Sequence, residues 1–231
     1  MKNGKFKVAY LDHPPHPAFL EAMRTATDID LICISTDDDP AAVTRALAEC
    51  EGYYVQAAKD ELPMVWQVTE DFLSQMPKLL VVSSYGAGYD TVDIDACIRY
   101  GVAACNQAGG NAEAVSQQTL AYILSLLKRI PEGDAAVRQG TALDRNRFMG
   151  RELFGRTVGV VGLGHIGTRV AHYLKAFNCK VLAYDPYVDA ETCAARGAEK
   201  VDFDTLLSES DIVSVHCPLT AETRNMFSAG A

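Results

Sequence analysis

The sequence predicts a parallel α/β fold, and three observations lead to that class. Short apolar, β-branched runs alternate with helical patterns at the spacing of strand–crossover–strand units. The stretch Thr157–Asp185 joins a strand, a glycine-rich turn, a helix and a second strand that ends in a carboxylate. The chain has 231 residues, 48% of them hydrophobic, enough to bury one large core or two modest ones.

Taken in order, Lys7–Leu11 reads as a strand, followed by the loop 12–17 and a helical pattern over Ala18–Thr25. Leu31–Ser35 is a second strand, and Pro40–Glu49 a helix that starts after the acidic Asp37–Asp39, which suits a helix N-terminus. Tyr53–Gln56 is a third short strand. Within the ambiguous segment 61–76, Thr69–Met76 has helical character. Leu79–Ser83 is a strand running into SYGAGYDTVD, Asp93–Tyr100 a helix closed by Gly101, and Val102–Cys105 another strand. QAGGN punctuates the chain near Asn106–Asn111, where two α/β units are expected to meet.

A long helix over 112–130 should end at Pro131, and its apolar positions (Ala114, Val115, Leu120, Ile123, Leu124, Leu127) predict a well-buried face. The polar stretch 132–151 reads as an arm with a short helix at most. After the glycine segment come a helix over 190–196, a short strand at 200–201, a helix over 204–207 and a strand over 211–216. From Val158 onward this is one strand–helix half of a doubly wound dinucleotide domain plus one further strand. Strand 211–216 should therefore lie near an edge, its apolar face short of cover.

In the glycine segment each residue type has a physical job. Gly162 permits the tight turn, Gly164 lets a pyrophosphate approach the backbone, and Gly167 lets the helix pack closely on the strand. The unpaired amides and dipole at the helix start attract an anion. Asp185, ending the second strand, would accept hydrogen bonds from the adenosine ribose. A carboxylate there favours NAD over NADP, since Pro186 and Tyr187 bring no cation to a 2′-phosphate.

Net charge is −9 with no basic tract, which argues against nucleic acid or an anionic membrane as the main partner. No apolar run is long enough to cross a bilayer, and the first residues lack a signal peptide's apolar core. The seven cysteines form no C-x-x-C pair. Several lie in apolar runs, as Cys33 does in LICIS, so most are expected to be buried thiols in a reducing cytoplasm.

Several stretches together carry a resemblance: SSYGAGYDTVDIDA (83–96), GVAACNQAGGNAEAVSQQTLAYIL (101–124), the glycine segment, YDP (184–186) and LLSESDIVSVHCPLTAETRNMF (206–227). In this order and spacing the chain resembles the D-isomer-specific 2-hydroxyacid dehydrogenases, the group of phosphoglycerate, glyoxylate/hydroxypyruvate and formate dehydrogenases. Residues 1–78 match only in general layout. The resemblance implies two flavodoxin/Rossmann-like doubly wound parallel-sheet domains with a cleft between them. Residues 1–105 would be the substrate domain and 106–231 the NAD-binding domain, the latter incomplete at its C-terminal end. It implies NAD as cofactor and a small 2-keto or 2-hydroxy acid as substrate. A homodimer would use the 112–130 helix and the arm after it, although that helix could equally be ordinary core.

The resemblance further places Tyr85, Gly86, Ala87 and Gly88 at the substrate carboxylate, a role that consecutive amides in a glycine-rich turn can fill. Substrate choice would depend on loops near 12–17, 54–59 and 85–89. Gly162, Gly164, His165, Ile166 and Gly167 would surround the pyrophosphate, with Asp185 at the ribose. His216, Cys217, Pro218 and Thr223 would line the rest of the cofactor site. Many relatives carry arginine where His165 stands; the histidine either donates to phosphate or is an exposed loop residue. The family's catalytic arginine, glutamate and histidine have no counterpart positions in these 231 residues, so no catalytic residue is assigned, and little turnover is expected. No metal site is assigned either: His13 and His16 have no partners in the sequence pattern, and His172 sits inside a helix. The other function class that fits is a non-catalytic, NAD(H)-responsive binding protein of the corepressor kind.

Overall fold

A computed structural model of the chain describes residues 4–14, 16–141 and 144–228. Pro15 of the first loop, Ala142 and Leu143 of the polar stretch, and residues 229–231 lie outside the described residues. Two compact units result, Met1–Asn111 and Ala112–Ala231.

The first unit carries β1 (Phe6–Leu11), α1 (Pro17–Thr25), β2 (Ile29–Ile34), α2 (Pro40–Ala48), β3 (Gly52–Val55), α3 (Glu70–Leu73), β4 (Val81–Ser84), α4 (Ile94–Tyr100) and β5 (Ala103–Cys105). Every strand pair is parallel, and the sheet runs β2-β1-β3-β4-β5, the flavodoxin-like order. Its core lies on the face bearing Ala9, Leu11, Tyr53, Val55 and Val82, packed against Val43 and Leu47 of α2, Phe72 of α3 and Ala96 of α4. Helix starts use local side chains: Asp39, Thr69 and Asp93 cap α2, α3 and α4, each accepting from an amide in the first turn. Residues 106–111 belong to this unit because Gln107 N–H donates to Gly86 O (2.9 Å) and Asn106 Nδ2 to Ala87 O (2.9 Å).

The second unit carries α5 (Ala112–Leu127), α6 (Ile130–Arg138), β6 (Thr157–Val161), α7 (His165–Lys175), β7 (Lys180–Tyr184), α8 (Ala190–Ala195), β8 (Glu199–Lys200), α9 (Phe203–Glu209) and β9 (Ile212–Val215). The parallel sheet runs β8-β7-β6-β9, which is the 3-2-1-4 portion of the dinucleotide-binding order. Val158, Val160, Leu163, Val170, Ala171, Leu174, Val181 and Ala183 form its core. As expected, β9 is an edge strand, only partly covered.

Three expectations are corrected. Pro131 does not end the long helix. Arg129 takes a left-handed φ of 54° after α5, and Pro131 occupies the first turn of α6, where its missing N–H costs nothing. The polar stretch therefore opens with a nine-residue helix. Second, α5 is not well buried: only Ala112, Ser116 and Ile123 are, whereas Ala114 is exposed and Leu126 is 76% exposed. Because β9 is the sheet's edge, the α5 side chains beside it border an apolar groove rather than a packed layer. Third, Cys33 is exposed rather than buried, since β2 is also an edge strand. Among the seven free thiols, Cys50, Cys97 and Cys193 are buried.

Candidate functional site

The glycine loop of the second unit sits where its strand order reverses, between β6 and β9. Gly162 follows β6 with φ +89°, and a Cβ there would lie 2.8 Å from the Cys217 amide nitrogen. Two requirements therefore converge on glycine: a left-handed turn and close approach of the chain leaving β9. A Cβ on Gly167 would overlap the Gly162 carbonyl oxygen, so this glycine sets how tightly α7 returns onto the loop. Gly164 is different. It is the N-cap of α7, offers no capping side chain, and has no atom within 4 Å of where a Cβ would stand. Its surroundings are open, which suits approach of an anion to the α7 amides.

Asp185, just beyond β7, is already engaged. Oδ2 accepts from the Leu163 amide (2.9 Å) and Oδ1 from the Tyr187 amide (3.0 Å). It thus ties the middle of the glycine loop to the end of the neighbouring strand, and lone pairs remain on both oxygens for ribose hydroxyls. Arg196 Nη1 donates to the Leu163 carbonyl (2.5 Å), so Leu163 is held from both of its peptide groups.

These elements open onto a cavity of about 250 Å³ lined by Gly162, Gly164, Asp185, His216, Cys217, Pro218 and Thr223. The same walls include Tyr187 and, from the matching stretch 206–227, Thr220, Glu222 and Met226, to none of which the sequence assigns a part in holding the cofactor. His165 and Ile166 form the first turn of α7; His165 is exposed, and Ile166 packs on the core. The segment after β9 is braced locally, with Thr223 Oγ1 donating to Pro218 O (2.6 Å) and accepting from the Thr220 amide (2.8 Å). His216 Nε2 lies 2.9 Å from Ser214 Oγ, and burial lowers its pKa, favouring the neutral imidazole. Among the described residues no lysine or arginine lines this cavity.

In the first unit, Tyr85–Gly88 follows β4 and is tied down by its carbonyls. Gly86 O accepts from Gln107 N–H, Ala87 O from Asn106 Nδ2, and Gly88 O from Ser84 Oγ (2.5 Å). The Tyr85 amide donates to Val55 O (2.9 Å), whereas the amides of Gly86, Ala87 and Gly88 donate to no acceptor among the described residues. Neither glycine takes a left-handed φ; each leaves room instead, with nothing closer than 3.7 Å to a Cβ at either position. The Tyr85 ring packs on Tyr54 (centroids 4.4 Å), which stacks on Phe19 (4.5 Å). Burial and the Tyr54 hydroxyl push the Tyr85 phenol pKa up, and it donates to His13 O (3.1 Å). His16 serves the fold by capping α1, its Nδ1 accepting from the Ala18 amide (3.1 Å).

A 3-2-1-4 parallel sheet, a glycine turn opening a helix and a carboxylate ending the next strand define a dinucleotide-binding α/β domain. Residues 120–231 match the family described as D-isomer specific 2-hydroxyacid dehydrogenase, NAD binding domain. D-3-phosphoglycerate dehydrogenase of Archaeoglobus fulgidus is 36% identical over 190 residues, 82% of this chain and 32% of that protein. The Mycobacterium bovis enzyme of the same name is 42% identical over 159 residues, 69% of this chain and 30% of that protein. A crystal structure of D-lactate dehydrogenase from Aquifex aeolicus, complexed with NAD and lactic acid, superposes with a TM-score of 0.78. It is 31% identical and covers 94% of this chain and 62% of that one. The chain belongs to the D-isomer-specific 2-hydroxyacid dehydrogenase family, and its second unit carries the family's NAD-binding domain. It spans about a third of the length of the curated relatives it matches. No described helix is long and apolar enough to cross a membrane.

Proposed function

We propose that these residues bind NAD(H) and a 2-keto or 2-hydroxy acid as part of an NAD-dependent D-2-hydroxyacid dehydrogenase. The observation that carries this reading is the open glycine loop at the sheet's switch point, facing a cavity that Asp185 and the post-β9 segment also wall. NAD, when bound, supplies or accepts the hydride; the protein's part is to bind, orient and exclude water. The α7 N-terminus and the Gly164 backbone would hold the pyrophosphate, with His165 at the rim. Asp185 would hold the adenosine ribose, and His216, Cys217, Pro218 and Thr223 the remainder. The unpaired Gly86, Ala87 and Gly88 amides are three donors, those of Ala87 and Gly88 oriented by the tethered Gly86 and Ala87 carbonyls of their own peptide groups, a suitable cradle for a carboxylate. Residues 1–105 would in this reading serve the substrate.

Reduction of a keto acid also needs a cation to polarise the carbonyl and an acid to protonate the alkoxide. His216 is held neutral and against Ser214, and no arginine or lysine among the described residues lines the cofactor cavity. The 231-residue chain should therefore turn over slowly, by about two to four orders of magnitude for the missing acid alone. Assaying it with NADH and hydroxypyruvate or glyoxylate checks this, and ordinary dehydrogenase rates would contradict it. Free thiols throughout suit a cytoplasmic protein, and the exposed apolar residues Tyr122, Leu126 and Val137 of α5 and α6 suit pairing of two copies.

A further inference from the structure

The wall of the cofactor cavity holds a hydrogen-bonded chain that the family motifs do not describe. Tyr187 donates its amide to Asp185 Oδ1 (3.0 Å) and its hydroxyl to Glu222 Oε2 (2.5 Å). One tyrosine therefore links the carboxylate that ends β7 to a carboxylate in the turn after β9, and all three residues line the same cavity. Neither Asp185 nor Glu222 is in an ion pair among the described residues. The cation that does reach the loop, Arg196, is engaged with the Leu163 carbonyl and does not line the cavity. Asp185 has its charge spread over two backbone amides, whereas Glu222 has only the Tyr187 hydroxyl. Acceptance by Glu222 also raises the Tyr187 phenol pKa, so the tyrosine stays a donor throughout the neutral range.

We propose that Glu222, held in place by Tyr187, is a second selectivity determinant of the cofactor cavity, disfavouring a dinucleotide that carries a 2′-phosphate. The inference rests on the reading of this cavity as the NAD site. NADPH differs from NADH only in that phosphate, which brings close to two negative charges to the ribose edge where Asp185 sits. Rejection by repulsion is discrimination against the wrong ligand rather than extra attraction for the right one. Two carboxylates on one wall divide that work, so removing Asp185 alone leaves part of it in place. The pairing also explains an otherwise idle feature, since Tyr187 is 81% exposed yet hydrogen-bonded at both its amide and its hydroxyl.

Titrating the full 231-residue chain with NADH and with NADPH, by calorimetry, gives the ratio of their dissociation constants. In Glu222→Gln that ratio should move toward NADPH by about three- to tenfold at low salt, as expected for removing one unit charge at a partly exposed site. Tyr187→Phe should move it the same way by less. The Glu222→Gln shift should persist in an Asp185→Asn background and shrink between about 0.05 and about 0.5 M KCl, which a merely structural role would not produce. A Glu222→Gln ratio equal to that of the unsubstituted chain at low salt, with NADH still bound, overturns this inference alone. A chain that binds neither dinucleotide overturns the cofactor reading and this inference with it.

Discussion

Two glycine-rich loops follow parallel strands in this protein, one after β6 and one after β4, and they use glycine for different reasons. In the loop after β6, glycine is demanded from within: Gly162 by its left-handed φ and by the Cys217 amide, Gly167 by the Gly162 carbonyl. In the loop after β4, Gly86 and Gly88 have ordinary φ and free space around them. Their carbonyls are tied to Gln107 and Ser84, and the amides between them are left unpaired among the described residues. In the proposed reading the first loop would hold an anion at the helix start immediately downstream, whereas the second, with no helix until Asp93, would rely on its own amides. The same residue type thus serves folding in one place and access in the other.

That contrast can be broken by single methyl groups. The largest effect is expected at Gly167→Ala, where the new Cβ meets backbone that cannot move without dislodging α7. Unfolding stability should drop by about 3 kcal/mol or more, read by denaturant titration, with NADH affinity lost alongside. Near-normal stability there would mean that the α7–loop contact is softer than the structure implies. Gly86→Ala and Gly88→Ala should do the opposite. Stability should stay within about 0.5 kcal/mol, while affinity for a keto acid such as hydroxypyruvate falls by roughly tenfold. Loss of stability in either variant would erase the distinction between the two loops.

The smallest predicted effect concerns pH at the end of β9. Burial lowers the His216 pKa, so the unfolded chain takes up a proton first as pH falls through its ordinary range near about 6.5. The contribution of His216 is fully present above that range and is lost progressively down to its lower folded pKa. Thermal unfolding midpoints followed from about pH 7.5 to about pH 5.5 should decline more steeply in the unsubstituted protein than in His216→Gln. Parallel curves would show that the imidazole is not desolvated as described.

Much of this is legible in the sequence because it rests on local requirements. Strand–helix alternation, the 162–164–167 spacing and the carboxylate after β7 all follow from short-range patterns, and each of these elements forms within a few residues of its expected place. What the pattern conceals depends on partners distant along the chain. The motif assigns Asp185 to the ribose alone, yet it bonds the Leu163 amide across 22 residues, and Tyr187 reaches Glu222 across 35. Apolar spacing along α5 announces a buried face, but burial also needs a layer to pack against, and β9 is the edge of its sheet. Pro131 carries two meanings, helix end or helix first turn; the left-handed Arg129 before it decides for the second.

The most direct test of the central claim is a calorimetric titration of the 231-residue chain with NADH, alongside Gly164→Val. Gly164 has no neighbour within 4 Å of a Cβ, so added bulk there should leave the fold intact and block only an incoming pyrophosphate. Saturable one-to-one binding, weakened at least about tenfold in the folded variant, is the predicted result. Equal affinity in the two proteins, or no binding by the unsubstituted chain up to millimolar NADH, would contradict the assignment of this loop as the dinucleotide site.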